Sequence, residues 1–142
     1  MTFHIQLVSV AAVLGMTACG STSTAPAATS SAPHSQTDLR VGTGAEATAG
    51  RRVIVAYTGW LYDSSASEGK GRQIDSNANF GFLLGVGQVI AGWDRGVVGM
   101  RVGGLRRLVI PSELAYGSAG AGGGRIPPNA TLVFDITLND VQ

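Results

Sequence analysis

Residues 131–141 read TLVFDITLNDV, and this stretch decides the fold class because apolar and polar side chains alternate along it. One face carries apolar side chains and the other polar ones: Leu132, Phe134, Ile136 and Leu138 against Asp135, Thr137 and Asn139. A period of two is typical of a half-buried strand in an antiparallel sheet. The chain is therefore predicted to contain a sheet with one face turned towards a core.

Shorter stretches further towards the N-terminus show the same period. Residues 51–58 (RRVIVAYT) and residues 80–84 (FGFLL) each place three large apolar side chains on one face, namely Val53, Val55 and Tyr57, and Phe80, Phe82 and Leu84. Residues 105–110 predict another strand, and a short one is predicted to start near Leu39. Several strands in succession favour an antiparallel sheet over a parallel one.

One stretch predicts a helix, residues 90–100 (IAGWDRGVVGM). Its apolar residues follow a helical stripe, Ile90, Trp93, Val97 and Met100. Gly96 and Gly99 lower its intrinsic helix propensity, so we expect a short helix held by packing. Strands with one helix laid on one face of the sheet give a predicted fold class of α+β.

Charge divides the chain into two parts. All ten Lys and Arg and all nine Asp and Glu fall at or after Asp38, and the net charge is +1. Such a balance indicates neither a nucleic-acid partner nor a polybasic membrane anchor. Residues 38–142 are close to the commonest domain size and long enough to bury one core. We predict a single domain over residues 38–142.

The first 18 residues resemble an export signal. Residues 5–16 are almost wholly apolar, too short to span a bilayer but typical of a signal peptide. Thr17 and Ala18 lead into Cys19, the single cysteine, in an order that resembles a bacterial lipobox, where the cysteine is lipidated after cleavage before it. We predict a lipoprotein signal over residues 1–18, a palmitate-type membrane anchor on Cys19, and a cell-envelope location on the extracytoplasmic side.

Two other interpretations of this N-terminus stay open, since residues 1–6 contain no Lys or Arg. One is an ordinary secretory signal that is cleaved elsewhere. The other is a buried helix with a chance cysteine.

Residues 19–37 are predicted to form a disordered tether. They are rich in Ser, Thr, Ala and Pro, carry no charge and show no periodic apolar face, so they cannot bury enough surface to offset their ordering entropy. A coil of this length holds the domain on average about 20–25 Å from its anchor. His34 lies within it and is interpreted as a solvated residue.

Two glycine-containing loops remain, residues 63–72 and residues 117–129. Long loops in compact domains are usually functional or mobile. The second loop carries the sequence RIPP at residues 125–128, a stiff apolar segment that suits a flap over a pocket.

Motifs for hydrolytic, nucleotide or metal chemistry are missing from the sequence, which contains no G-x-S-x-G, H-E-x-x-H or P-loop. No cofactor and no metal site are predicted. The predicted domain does contain aromatic residues where strands and loops meet: Tyr57, Phe80, Phe82, Trp93, Tyr116 and Phe134. By themselves they are equally consistent with a core and with a pocket.

An ordered set of segments then brings a family into view. Residues 55–65 (VAYTGWLYDSS), 87–100 (GQVIAGWDRGVVGM), 102–104 (VGG), 110–117 (IPSELAYG) and 126–135 (IPPNATLVFD) resemble FKBP-type peptidyl-prolyl isomerases in order and spacing. The resemblance covers essentially all of residues 38–141. It implies a twisted antiparallel sheet of about five strands wrapped around one short helix. It also implies peptidyl-prolyl cis-trans isomerase (rotamase) activity.

The resemblance further implies a site. Its catalytic residues would be Tyr57, Asp75, Tyr116 and Phe134, and its substrate-binding residues Phe80, Val89, Ile90, Trp93 and Ile126. In this arrangement Trp93 is the floor, and the backbone N–H of Ile90 and the hydroxyl of Tyr116 each donate to a substrate carbonyl. The implied partners are proline-containing polypeptides and macrolides of the tacrolimus or rapamycin type, bound by a monomer.

The sequence departs from the family pattern around the pocket aspartate. The connection from Asp75 to Phe80 is short, so the usual arginine partner has no counterpart, and Asp75 is expected either to be held by Tyr57 alone or to reach Arg72. Ile74 replaces a common phenylalanine and Gln88 a common glutamate. The glycine-rich loop argues against rim contacts from Arg125.

Three functions are weighed against each other. The leading hypothesis is an active prolyl isomerase that assists the folding of exported proteins near a membrane. The second is a tethered binding module or chaperone that holds proline segments or macrolides without useful turnover, and the third is a purely structural β-domain.

Overall fold

The computed structural model describes residues 31–142, so the predicted signal (residues 1–18), Cys19 and the predicted tether up to residue 30 lie outside the described residues. Five strands and one helix follow in chain order: β1 (Ser35–Arg40), β2 (Arg52–Tyr62), β3 (Lys70–Leu83), α1 (Ala91–Gly96), β4 (Leu105–Ile110) and β5 (Leu132–Val141). Short 3-10 turns occupy parts of the loops.

The five strands form one sheet in the order β1-β4-β5-β2-β3, and every neighbouring pair is antiparallel. β5 lies at the centre, where Phe134 pairs with Leu108 on one side and with Gly59 on the other. The alternating residues of β5 that were predicted to face the core are all buried. The predicted α+β class, with an antiparallel five-stranded sheet and one short helix, is confirmed.

Two strands begin earlier than the sequence predicts. β1 starts at Ser35, not near Leu39, so residues 35–37 of the predicted tether belong to the sheet. His34 is half-buried rather than solvated, and its Nε2 atom is buried with no hydrogen-bond partner among residues 31–142. β3 starts at Lys70 and spans 14 residues. Both extensions rest on backbone pairing with β4 and β2, which needs no apolar side-chain pattern and therefore leaves none in the sequence.

The predicted short helix is confirmed, and α1 covers six of the residues 90–100, Ala91–Gly96. It lies against β4 through two glycines. A Cβ atom at Gly96 would stand 2.5 Å from Leu108 Cδ2, and one at Gly92 would overlap the Ile110 side chain. Gly99 then takes a φ of 88°, a conformation that favours glycine and follows the end of the helix.

Arg106 on β4 ties the helix to the sheet from within. It is only 6 % exposed, and its Nη1 donates to the backbone carbonyls of Gly96 at 2.7 Å and Val98 at 3.0 Å. Its Nε pairs with Asp38 Oδ1 on β1 at 2.6 Å. The guanidinium thus satisfies carbonyls that the end of α1 leaves free and holds β1 against β4.

The opposite face of the sheet carries a network that we call the outer charge cluster: Glu68, Lys70, Arg107 and Asp135. Arg107 holds Asp135 with two hydrogen bonds of 2.7 and 3.0 Å, and Lys70 reaches Asp135 at 2.9 Å and Glu68 at 3.0 Å. Burial works to raise the pKa of Asp135, but the bonds from Arg107 and Lys70 outweigh it and lower that pKa below its ordinary value.

The outer charge cluster predicts how stability depends on pH. The pKa of Asp135 is lower in the folded than in the unfolded chain, so its contribution is present above about pH 4, the range of the unfolded group, and is lost as pH falls further. We expect the free energy of unfolding to drop between about pH 5 and pH 2. In Asp135→Asn we expect a lower stability at pH 7 and a shallower acid slope, measured by urea denaturation across pH.

The matched control is Asp140→Asn, in the same strand. The carboxylate of Asp140 accepts hydrogen bonds from the Val141 N–H at 2.9 Å and from Gln142 Nε2 at 3.3 Å but forms no ion pair within residues 31–142. An acid slope equal in the two variants would contradict the assignment to the outer charge cluster.

Candidate active site

A cavity of about 400 Å³ opens between the helix, the strands and two loops. It brings together all nine residues that the resemblance implied: Tyr57, Asp75, Phe80, Val89, Ile90, Trp93, Tyr116, Ile126 and Phe134. Ile74 and Gln88 also line it. Neither was predicted to belong to the site; both were noted only as departures from the family pattern. Each is next in the chain to a predicted site residue, Asp75 or Val89, and this adjacency could have indicated them.

The aromatic side chains form a box around Trp93. The Trp93 ring lies 4.8 Å from Tyr57, 5.2 Å from Phe134 and 6.0 Å from Phe80, each pair close to perpendicular. Edge-to-face contacts of this kind are favourable and hold rings in fixed orientations. Phe82 also contacts Trp93, at 5.6 Å, but is buried in the core and does not line the cavity. Of the six aromatic residues singled out in the sequence, five therefore border the cavity.

Asp75 lies at the cavity edge and is held without an arginine. The Tyr57 hydroxyl donates to Asp75 Oδ2 at 2.7 Å, and the Ser76 backbone N–H donates to Oδ1 at 2.8 Å. Asp75 forms no ion pair in the described part of the chain, and Arg72 instead donates to the Arg125 carbonyl at 2.7 Å. The sequence left open whether Tyr57 alone or Arg72 holds Asp75. In the structure Tyr57 holds it, together with the backbone N–H of Ser76.

Burial, followed by the bond to Asp75 and its charge, raises the pKa of Tyr57 well above its ordinary value. Burial, with the negative charge of Asp75, also raises the pKa of Tyr116. Both phenols therefore stay protonated at neutral pH. The Tyr57 hydroxyl donates its one proton to Asp75, so only the Tyr116 hydroxyl is available to donate to a ligand.

Three of the residues that line this cavity carry donors with no partner in the described part of the chain. Neither the backbone N–H of Ile90 nor the hydroxyl of Tyr116, which is 40 % exposed, donates a hydrogen bond within residues 31–142. The indole Nε1 of Trp93 is buried and likewise has no partner there. Buried polar groups are normally hydrogen-bonded, so a ligand with carbonyl oxygens would meet donors that the protein leaves free.

Asp94 positions the loop that carries Val89 and Ile90. Its Oδ1 accepts from the Gly85 N–H and its Oδ2 from the Gly87 N–H, both at 2.9 Å. Nearby, Gln88 Oε1 accepts from the Leu83 N–H at 2.9 Å. The carboxylate of Asp94 and the side-chain amide of Gln88 therefore hold the backbone of the loop between β3 and α1 in place.

Asp94→Asn tests this positioning role. The variant amide would turn an NH₂ group towards one of the two glycine N–H groups, so one charge-assisted hydrogen bond is lost. We expect faster amide exchange at Gly85 and Gly87, and a loss of about 1.5–3 kcal/mol for the loop. Prolyl-peptide binding should weaken several-fold. Unchanged exchange rates would contradict the role, and Asp140→Asn serves as the control for a change of charge alone.

The second loop brings Ile126 over the cavity. Residues Ala121 and Ile126 exchange two backbone hydrogen bonds of 3.0 Å, and the Asn129 N–H donates to the Gly117 carbonyl at 2.8 Å. These bonds close the loop 117–129 on itself. Arg125 reaches the rim only through a long 3.5 Å bond from its Nη1 to the Ile74 carbonyl.

Comparisons with known proteins agree with this geometry. The family model described as FKBP-type peptidyl-prolyl cis-trans isomerase matches residues 44–139. An FK506-binding protein of Neisseria meningitidis serogroup A is 48 % identical over 101 residues, which covers 71 % of this chain and 89 % of that protein. An FK506-binding protein of Streptomyces anulatus is also 48 % identical over 101 residues, covering 68 % and 77 %.

Solved structures show the same likeness. The crystal structure of AtFKBP13 superposes with a TM-score of 0.65 at 38 % identity, covering 77 % of this chain and 93 % of the other. A peptidyl-prolyl cis-trans isomerase from Pseudomonas syringae pv. tomato gives a TM-score of 0.64 at 39 % identity, covering 77 % and 75 %.

Proposed function

The chain belongs to the FKBP-type peptidyl-prolyl cis-trans isomerase family and is such an isomerase, and from this premise we propose that it assists the folding of exported proteins while anchored by lipid to the cell envelope. The family binds proline-containing peptides and FK506-like macrolides.

The reaction is rotation about a single bond. Resonance holds the peptide C–N bond planar with a barrier of about 18–20 kcal/mol, and X–Pro bonds interconvert in tens to hundreds of seconds without help. The twisted transition state has lost amide resonance, so its carbonyl oxygen carries less charge than in the planar ground state. A site with apolar walls and few fixed donors therefore favours the twisted form.

The observation that carries the mechanism is a cavity with aromatic walls that also contains unpartnered donors. In our proposal the prolyl ring lies on Trp93 between Tyr57, Phe80 and Phe134. The Ile90 N–H and the Tyr116 hydroxyl each donate to a carbonyl of the substrate chain, and Ile126 covers the rim. A 10⁴-fold acceleration requires about 5.5 kcal/mol of preference for the twisted state, so no general acid or base is needed.

The test is isomerisation of X–Pro peptides measured by a protease-coupled assay and by exchange NMR. We expect acceleration over the uncatalysed rate, with a loss of several-fold in Tyr116→Phe, which removes one donor. Peptides that change Trp93 fluorescence while every isomerisation rate stays at background would instead indicate a binding module without turnover.

The envelope location rests on the order of residues around Cys19. An apolar stretch and two small residues precede the single cysteine, and residues 31–142 contain no helix long and apolar enough to cross a membrane. A lipid on Cys19 is the proposed attachment, and the sheet begins at Ser35. The domain is proposed to act as a monomer.

Attachment is tested by expressing the full chain in a bacterium that is fed a labelled fatty acid. We expect label on the protein and its recovery with membranes, and neither in Cys19→Ser. Label retained in Cys19→Ser, or wild-type protein found only in the soluble fraction, would contradict the anchor while leaving the isomerase activity untouched.

A further inference from the structure

A second hollow adjoins the prolyl pocket. It has a volume of about 480 Å³ and shares Ile74 and Asp75 with the pocket. Its other lining residues are polar: Arg72, Gln73, Ser76 and Arg125. The pocket and the hollow therefore meet at Ile74 and Asp75.

Two guanidinium groups border the hollow from different elements. Arg72 belongs to β3 and Arg125 to the loop that carries Ile126, and the two are joined by a bond of 2.7 Å from Arg72 Nη2 to the Arg125 carbonyl. Neither forms an ion pair within residues 31–142, unlike Arg106 and Arg107. Other arginines of the domain also lack ion pairs, but they do not line the hollow.

Most donors of the two guanidiniums remain available. Each guanidinium has five N–H groups. Hydrogen bonds within residues 31–142 use one of Arg72 and, through the long 3.5 Å bond to the Ile74 carbonyl, one of Arg125. The negative group in the hollow is already engaged, because Asp75 accepts from the Tyr57 hydroxyl and the Ser76 N–H. The hollow as a whole has an excess of one positive charge.

We propose that this hollow is a subsite for an acidic side chain of the substrate, so that the enzyme prefers X–Pro segments with a Glu or Asp close to the proline. The planar guanidiniums of Arg72 and Arg125 match a carboxylate in shape and charge. A carboxylate suits the site better than a phosphate dianion, because Asp75 repels a dianion more strongly. This inference rests on the prolyl-isomerase activity and adds a substrate preference to it.

The preference is measured as a ratio. Peptides carry Glu or Gln in turn at each of the two positions before and the two positions after a central proline, and exchange NMR supplies kcat/KM for each. For at least one position we expect Glu to exceed Gln about five- to tenfold, the combined effect of two solvent-exposed ion pairs. The Glu-to-Gln ratio should shrink in 0.5 M NaCl, because the Debye length there lies between about 3 and 10 Å and exposed charges are screened.

Variants assign the preference to the two arginines. We expect the Glu-to-Gln ratio to fall to about one in the double variant Arg72→Gln, Arg125→Gln. The ratio should be partly retained in the double variant Arg72→Lys, Arg125→Lys, because lysine keeps the charge but cannot donate two parallel hydrogen bonds to a carboxylate. Arg51→Gln is the matched control. Arg51 is exposed and does not line the hollow, and its Nε donates to the Gln142 carbonyl. That control should retain the wild-type ratio.

A wild-type ratio of about one at every position would overturn the proposal, as would a preference that survives in the double Gln variant. A phosphoserine peptide turned over faster than the Glu peptide would overturn the choice of a carboxylate. The peptides that carry Gln report the isomerase activity without an acidic side chain. A loss of that activity is therefore distinguished from a loss of the Glu-to-Gln preference.

Discussion

Phe134→Leu is expected to lower kcat/KM for X–Pro peptides at least tenfold, which corresponds to about 1.4 kcal/mol of transition-state stabilisation. The ring lies at right angles to Trp93 at 5.2 Å and also contacts Tyr57 at 6.1 Å. Gly59 fits against it so closely that a Cβ there would stand 2.5 Å from Phe134 Cε1. Leucine cannot reproduce the flat wall, and the prolyl slot widens.

The matched control for this experiment is Phe82→Leu. Phe82 is 2 % exposed and Phe134 is 4 % exposed, and both contact Trp93, but only Phe134 lines the cavity. Both substitutions should lower the free energy of unfolding by about 1–2 kcal/mol, since each removes buried volume. Activity should stay within about twofold of wild type in Phe82→Leu. Equal losses of activity in both variants would mean that the effect comes from core packing.

Gly96→Ala and Gly92→Ala are each expected to lower the free energy of unfolding by about 1–3 kcal/mol, the usual cost of overpacking a core. On helix propensity alone alanine would be better by about 1 kcal/mol, so the sign of the effect tests the packing. At Gly96 the new methyl would meet Leu108 Cδ2 at 2.5 Å, and at Gly92 it would meet Ile110. Leu108 and Ile110 are fully buried, so a shift of either side chain disturbs the packing around it.

The control for these variants is Gly81→Ala, measured by the same denaturant titration. A Cβ there would meet the Nη2 atom of Arg52 at 2.9 Å, the far end of a flexible side chain. We expect a change within about 0.5 kcal/mol or a small gain from the less flexible unfolded chain. If Gly96→Ala and Gly92→Ala were also neutral or stabilising, the close contact of α1 with β4 would not hold in solution.

The central strands could be predicted from the sequence because their side chains face a core. β5 and the buried part of β2 alternate with a period of two, and β4 was predicted with its observed bounds, 105–110. The first ten residues of β3 were missed because seven of them are exposed and only Ile74 is buried. Their pairing with β2 uses backbone groups that every residue except proline carries.

Nine members of the candidate site were named from the family resemblance, and the structure brings them to one cavity. The partners of individual side chains were not readable in the same way. The sequence left open whether Asp75 bonds Tyr57 or Arg72, and could not indicate that Asp94 accepts from Gly85 and Gly87. Such contacts depend on distances of a few tenths of an ångström that loop conformation sets.

The sequence by itself thus determined the fold class, the family and the set of residues around the pocket, because periodic burial and motif order are properties of the chain. Tertiary structure alone decided the length of α1, the partner of Asp75 and the hollow beside it. Arg72 and Arg125 are 53 residues apart in the chain. Their meeting follows from the register of β3 in the sheet and from the closure of a distant loop, and long-range pairings of this kind leave no local pattern to read.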